Sequence, residues 1–146
     1  MLSRGEHHGL VHGAFGQAQR RGGLAQLPDL HQAGFAAQGG QRASAMACDI
    51  ADPDACTALV AHAQAFFGAP IDVFMAHAGL GFAGALTEAD PAQVRRVVEV
   101  NVLGTIYSAQ AALRSLVHSP RASLIFTSSL QGVTARAQRS VYTASK

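Results

Sequence analysis

The sequence of 146 residues lacks the features that would place it in several classes of protein. No apolar run approaches the roughly 18 residues of a membrane-spanning helix, and the first twenty residues lack the apolar centre of a secretory signal. Basic and acidic residues are interspersed and leave a net charge of only +2, so no nucleic-acid footprint is visible. We therefore expect a cytoplasmic, soluble protein that binds neither membranes nor nucleic acid.

Cysteine is scarce, and metal-ligand patterns are missing. Cys48 and Cys56 fall at a predicted strand end and in a predicted helix, where free buried thiols are favoured over a disulfide or a metal pair. The early part of the chain contains histidines without cysteines or carboxylates at ligand spacing: His7, His8, His12 and His31. The sequence therefore predicts no metal site.

Strands and helices alternate from residue 41 onward. A short apolar run over residues 43–48 predicts a buried strand. Asp52-Pro53 predicts the N-cap and first position of a helix that Gly68 ends. Residues 71–75 predict a second strand, and residues 91–117 predict a long helix with Asp90 as its cap.

One polar residue, Asn101, interrupts the apolar face of the long helix. A buried amide without partners costs about 1 to 3 kcal/mol, so its presence needs an explanation. It is either a core asparagine satisfied by backbone groups or a residue with a function.

The last twenty-five residues carry the candidate chemistry. Residues 123–127 predict a buried strand of a parallel sheet, with Ser128-Ser129 at its carboxyl end, where open α/β sheets bind ligands. A helix is expected from Ser140, and on it Tyr142 and Lys146 share one face.

This face suits general acid and base chemistry. A phenol is a poor base at neutral pH, but an ammonium group held nearby favours the phenolate. A serine hydroxyl across the pocket would hydrogen-bond a substrate oxygen as charge develops on it, which suits interconversion of a carbonyl and an alcohol. An isolated Tyr-x-x-x-Lys is more often a solvated pair on a surface helix.

Four motifs occur together in one order. Ser129 stands thirteen residues before Tyr142 of Tyr-x-x-x-Lys, Asn101 stands in Val-Asn-Val-Leu-Gly, and Ala-His-Ala-Gly over residues 76–79 follows a predicted strand. From about Asp49 to Lys146 the chain resembles the short-chain dehydrogenase/reductase family. The resemblance implies an α/β fold, a Rossmann-like doubly wound parallel sheet, here as an incomplete fragment.

The resemblance also implies a function, hydride transfer between NAD or NADP and a small carbonyl or alcohol substrate. Tyr142 would be the acid and base, Lys146 would support it and hold the nicotinamide ribose, and Ser129 would orient the substrate oxygen. Asn101 would hold a water that links Lys146 to solvent. The implied cofactor contacts, besides Tyr142 and Lys146, are Asp49 at the adenine, His77, Ala78, Gly79 and Thr127.

The chain departs from the family pattern at both ends. Residues 1–40 form an atypical or degenerate segment without a clear strand, and Leu10 to Ala18 is a poor match to Thr-Gly-x-x-x-Gly-x-Gly. Residues 41–146 would be a partial domain ending at the Tyr-x-x-x-Lys motif, apparently truncated, with a possible homo-oligomer interface largely missing. The alternative hypothesis is a non-catalytic remnant that folds partly or only binds another subunit.

Overall fold

A computed structural model describes residues 10–12 and 44–146. Its centre is a parallel sheet of three strands, β1 (Leu10–His12), β2 (Val73–Ala76) and β3 (Ser123–Phe126), in the order β1-β2-β3. The predicted parallel sheet is confirmed, although β2 begins two residues later than expected and β3 ends one residue earlier.

Strand β1 corrects the expectation that residues 1–40 contain no clear strand. Its three residues pair in parallel with Val73, Phe74 and Met75 of β2. A segment this short carries no periodicity of its own, so its conformation depends on a neighbour far along the chain. The glycines that follow His12 lie outside the described residues.

The strand predicted over residues 43–48 is not formed. Residues 44–48 have no regular secondary structure, and Ala43 lies outside the described part of the chain. A strand exists only where a neighbour pairs with it, and none of β1, β2 and β3 pairs with this segment.

Helix α1 (Pro53–Phe67) has the ends that were predicted. Asp52 caps it by accepting a hydrogen bond from Asp54 N at 2.9 Å, and Gly68 ends it in the left-handed conformation with φ 69°. Its buried face contains Cys56, Val60 and Ala63.

The long helix predicted over residues 91–117 is interrupted by a wider turn. It consists of α2 (Pro91–Val98), a π-helical segment (Glu99–Gly104) and α3 (Thr105–Leu116), and Asp90 caps its start as expected. Wider turns of this kind are frequent at functional sites. This one contains Asn101.

The main core lies where α1 and α3 pack on β2. Small side chains let α3 approach closely, because Ala112 is 0% and Ser115 is 1% exposed. Ser115 Oγ accepts a hydrogen bond from Ile71 N at 2.9 Å, which satisfies a buried donor just before β2.

A second apolar cluster supports the last helix, α4 (Ser140–Ala144). Phe82, Val97 and Val141 are buried against one another, and Leu80 and Tyr142 pack beside them. This cluster fixes α4 against α2 and the loop that follows β2. It therefore sets the position of Tyr142.

Candidate active site

The candidate site is an open pocket of about 440 Å³ at the carboxyl ends of β2 and β3. Its volume is within the range of small-molecule sites. The lining residues come from the loops after the two strands, from α4, and from the residues just before and after α4: His77, Gly79, Leu80, Gly81, Thr127, Ser128, Ser129, Gln131, Arg139, Tyr142 and Lys146. Three of the four predicted catalytic residues, Ser129, Tyr142 and Lys146, therefore share one pocket.

Tyr142 and Lys146 lie close together as the spacing predicted, but they do not share a helix face, because α4 ends at Ala144 and Lys146 lies beyond it. Lys146 Nζ is 5.8 Å from the centroid of the Tyr142 ring, and Lys146 is the only lysine of the chain. Val141 is buried in the second cluster, where it packs α4 against α2. Ser128 Oγ donates a hydrogen bond to the main-chain oxygen of Lys146 at 3.0 Å, so the end of β3 is tied to the end of α4.

Ser129 begins a short 3-10 helix, Leu130–Gly132. Its Oγ accepts a hydrogen bond from Gln131 N at 3.2 Å, which fixes the side chain as a cap. A hydroxyl that accepts in this way keeps its own hydrogen, so Ser129 still has a donor for a ligand oxygen.

Asn101 lies behind the pocket and joins three segments. Its Oδ1 accepts from Leu80 N at 2.7 Å, and its Nδ2 donates to Leu80 O at 2.9 Å and to Ser145 Oγ at 2.8 Å. Ser145 Oγ in turn donates to Tyr142 O at 2.8 Å. The buried amide is thus satisfied largely by backbone, and it links the π-helical turn to the loop after β2 and to α4.

Gly79 is the residue at which these groups meet. A Cβ on Gly79 would lie 3.0 Å from Lys146 Nζ and 3.2 Å from Asn101 Oδ1. Both contacts are tighter than ordinary carbon contacts, so a larger residue would displace the lysine or the amide. The absence of a side chain at residue 79 therefore keeps Asn101 and Lys146 in place.

His77 and Thr127 lie on neighbouring strand ends. His77 Nδ1 and Thr127 Oγ1 are 3.1 Å apart, and both residues line the pocket. Ala78 is buried and lines a much smaller cavity together with Phe74, and it is not among the residues that line the pocket. Of the predicted cofactor-binding turn, His77 and Gly79 therefore reach the pocket and the Ala78 side chain does not.

Asp49 lies outside the pocket. Its Oδ2 accepts from Arg96 Nη2 at 2.8 Å and its Oδ1 accepts from Ala51 N at 3.0 Å. Partial burial alone would raise the pKa of Asp49, but the Ala51 N–H and the Arg96 guanidinium outweigh it and lower the pKa below its usual value. Arg96 was not among the predicted site residues.

The two cysteines are free thiols as predicted, but only Cys56 is buried and Cys48 is half-buried. Cys56 is 1% exposed and its Sγ donates to Ile50 O at 3.4 Å. Burial raises the pKa of Cys56 to about 12, and it also raises the pKa of the neighbouring Cys48. Both groups are therefore weak nucleophiles at neutral pH.

Two further properties follow from the described residues alone. Within residues 10–12 and 44–146, no group of three or more His, Cys, Asp or Glu side chains is arranged to hold a metal ion. Among the helices of the same residues, none is long and apolar enough to cross a membrane.

Most of the chain matches one known family of proteins. A family model described as short chain dehydrogenase matches residues 25–146. The chain belongs to the short-chain dehydrogenase/reductase family. The match starts inside the segment 1–40 that was expected to be atypical, and it includes the whole pocket.

The chain is also similar to individual dehydrogenases. Cis-4-hydroxycyclohexanecarboxylate dehydrogenase of Sinomonas cyclohexanicum is 35% identical over 108 residues, which are 73% of this chain and 43% of that protein. The crystal structure of a short chain dehydrogenase from Burkholderia cenocepacia in complex with NADP is 32% identical with a TM-score of 0.73, and the match covers 81% of this chain and 47% of that one.

A third relative is a short-chain type dehydrogenase/reductase from Mycobacterium marinum, with 27% identity and a TM-score of 0.75 over 81% of this chain and 48% of that one. The chain spans less than half the length of these relatives. The Rossmann-like, doubly wound fold of the family is therefore represented here by an incomplete part of its sheet.

The pocket is lined by both small residues and residues with hydroxyl groups. Gly79 and Gly81 both line it, and a Cβ on Gly81 would meet no atom within 4 Å. Thr127, Ser128 and Ser129, which carry hydroxyl groups, line it as well. This combination offers space and hydrogen-bond partners to a small polar ligand.

Sequence reasoning missed three residues that shape the site. Ser128 binds the Lys146 backbone, Ser145 connects Asn101 to α4, and Arg139 lines the pocket next to Tyr142. Ser128 and Ser145 stand inside motifs that were singled out, so their positions were available as a signal. Arg139 stands in an irregular loop outside those motifs, and its position at the pocket depends on a hydrogen bond to Phe82 O at 3.1 Å that the sequence does not indicate.

Proposed function

We propose that the chain carries the acid–base and nicotinamide-binding part of an NAD(P)-dependent oxidoreductase for small alcohols or carbonyl compounds. The observation that carries this proposal is the meeting of Ser129, Tyr142 and Lys146 around one pocket. Family membership supports the reaction class, and the relative in complex with NADP supports the cofactor class. The relative named for a hydroxy acid supports an alcohol as substrate.

Tyr142 is the proposed acid and base. Its phenol would donate a proton to a substrate oxygen during reduction and take it back during oxidation. The Lys146 ammonium, 5.8 Å from the ring centroid, would stabilise the negative charge left on the phenol oxygen. A bound nicotinamide would supply or accept the hydride, and Ser129 would hold the substrate oxygen in place with its free hydroxyl hydrogen.

Asn101 is proposed to anchor the proton route between Lys146 and solvent. Its side chain holds Leu80 on one side and Ser145 on the other, close to the lysine. This arrangement keeps the loop after β2 and the end of α4 at a constant separation. The water that the family resemblance implies would lie beside these hydrogen bonds of Asn101.

The proposed cofactor contacts divide into two groups. His77, Gly79 and Thr127 would face the nicotinamide half together with Lys146, and Ala78 would contribute through its backbone. Asp49 would meet the adenine, and its carboxylate, already bound by Arg96 and Ala51 N, keeps further lone pairs for an amino group.

Cofactor binding to the 146-residue chain tests the proposal. Because the chain has no tryptophan, nicotinamide fluorescence can be titrated without tryptophan emission. We expect saturable binding of NADH or NADPH that Lys146→Ala weakens about tenfold or more, since it removes a charged partner. Arg114→Ala, on an exposed part of α3, is the matched control and should bind as the wild type does.

A second measurement uses the single lysine. An amine-directed acylating reagent modifies only Lys146 and the amino terminus, so mass spectrometry of the peptide that contains Lys146 reports on the site. Bound cofactor should protect Lys146 from acylation. Absence of both protection and saturable binding at millimolar cofactor would refute the proposal and favour the non-catalytic remnant.

A further inference from the structure

Arg139 is held at the edge of the pocket by its neighbours. It directly precedes α4, and its main-chain oxygen accepts from Thr143 N at 2.8 Å. Its Nη1 donates to Phe82 O at 3.1 Å, and Phe82 is buried. The main-chain oxygen of the preceding residue, Gln138, accepts a hydrogen bond from Gly84 N at 3.0 Å. The Gln138 backbone and the Arg139 side chain therefore both bind the loop after β2.

The side chain is half-buried and lacks a carboxylate partner. Within the described chain, neither Asp nor Glu forms an ion pair with Arg139. None of the residues that line the pocket is acidic, whereas Arg139, Lys146 and His77 all line it. The Phe82 carbonyl occupies one N–H of a guanidinium that has several, so donors remain for a ligand.

We propose that Arg139 selects substrates that carry a carboxylate besides the reacting hydroxyl or carbonyl group. Planar, bidentate recognition of a carboxylate is what a fixed guanidinium does best, and partial burial strengthens the contact relative to water. Arg139 directly precedes α4 and Tyr142 lies within it, and the two residues line the same pocket. A hydroxy or keto acid would therefore place its carboxylate at Arg139 and its reacting oxygen at Tyr142.

This inference rests on the proposed function, because it names the substrate class of the same pocket. The competing ligand for the guanidinium is a phosphate of the dinucleotide. The two differ in one measurable way, since a substrate carboxylate contributes nothing to cofactor affinity.

Two ligands of equal shape test the charge preference. Cyclohexanecarboxylate and its neutral isostere cyclohexanecarboxamide are titrated into the full chain by isothermal calorimetry, with and without NADPH. For the wild type we expect the carboxylate to bind about tenfold or more tightly than the amide, as expected when a hydrogen bond involves a charged group. This ratio needs no variant and therefore does not depend on how a substitution folds.

Variants then assign the preference to one residue. Arg139→Gln keeps a donor for Phe82 O and removes the charge, so it should reduce the ratio of the two affinities to about one. Arg139→Lys keeps the charge and loses the planar fork, so part of the preference should remain. Arg114→Gln, exposed on α3, is the control and should leave the ratio unchanged.

Three results would overturn the inference. One is equal binding, or no binding, of both ligands by the wild type. Another is a preference that survives Arg139→Gln in a chain with unchanged circular dichroism. The third is a loss of NADPH affinity in Arg139→Gln without a change in the ligand ratio, which would assign the guanidinium to a cofactor phosphate. If NADPH does not bind but the carboxylate still binds more tightly than the amide, the proposed function is refuted and the role of Arg139 in carboxylate binding is not.

Discussion

Replacing Asn101 with alanine tests whether its amide joins the loop after β2 to the helix that carries Tyr142. The side chain is 4% exposed and makes three hydrogen bonds, two with Leu80 backbone atoms and one with Ser145 Oγ. Alanine removes all three and leaves the Leu80 N–H and C=O without these partners.

The expected loss of stability follows from those two groups. An unsatisfied buried polar group costs about 1 to 3 kcal/mol, but Leu80 is only half-buried and water will reach part of it. We therefore expect Asn101→Ala to lower the free energy of unfolding by about 2 to 4 kcal/mol in total. That is a large part of the roughly 5 to 15 kcal/mol of a typical domain.

Urea unfolding followed by circular dichroism measures this change, with the slope against urea compared between variants. Ser145→Ala removes only one of the three partners and should cost about 0.5 to 1.5 kcal/mol. Ser108→Ala is the matched control, because Ser108 is also buried but bonds only to Thr105 O within the same helix, at 3.1 Å. Its effect should be close to zero.

The order of the three variants is the test. If Asn101→Ala costs no more than Ser108→Ala, the amide does not hold the loop and the helix together, and the account of its burial is refuted. A large effect of Asn101→Ala without any effect of Ser145→Ala would mean that only the hydrogen bonds to Leu80 contribute to stability.

Three further predictions concern packing, a thiol and a surface pair. Gly104→Ala would bring a Cβ within 2.7 Å of the buried Ile50 side chain and 3.1 Å of its main-chain oxygen, so thermal unfolding should show a loss of about 1 to 3 kcal/mol; an unchanged melting temperature would contradict this close contact. Cys56, buried and with a pKa of about 12, should resist alkylation at neutral pH in folded protein and react in urea, as peptide mapping would show; rapid native labelling would contradict its burial. The lowered pKa of Asp49 stabilises the folded state above the unfolded value of about 4, and this contribution is lost as the pH falls through the folded pKa. Arg96→Gln should reduce the fall in the free energy of unfolding at acid pH by no more than about 1 kcal/mol, because the pair is largely exposed. If the variant and the wild type lose the same free energy of unfolding as the pH falls, the pair contributes nothing.

The elements that the sequence predicted well are those with local causes. Asp52 and Asp90 cap helices through their own side chains, and Gly68 ends α1 because it tolerates a positive φ. Tyr142 and Lys146 are four residues apart, so local chain geometry brings their side chains close together even though α4 ends at Ala144. These features depend on residues close in the chain, and the structure agrees with each of them.

The elements that the sequence predicted poorly depend on distant partners. Leu10–His12 becomes a strand because β2 lies beside it, whereas residues 44–48 form none because no described strand pairs with them. The π-helical turn at Asn101 has no propensity of its own, and the contacts of Asn101 with Leu80 and of Gly104 with Ile50 exist only after α1, α3 and the sheet have packed.

The candidate site divides in the same way. The sequence by itself determined which reactive groups are present and their order along the chain, because motif spacing and helical periodicity are properties of the chain. Only the tertiary structure decided that Arg139 lines the pocket, that Asp49 pairs with Arg96 and that Ala78 lines a separate cavity. The physical reason is that a side chain's neighbours across the fold, rather than its neighbours in sequence, set its hydrogen bonds and its access to a ligand.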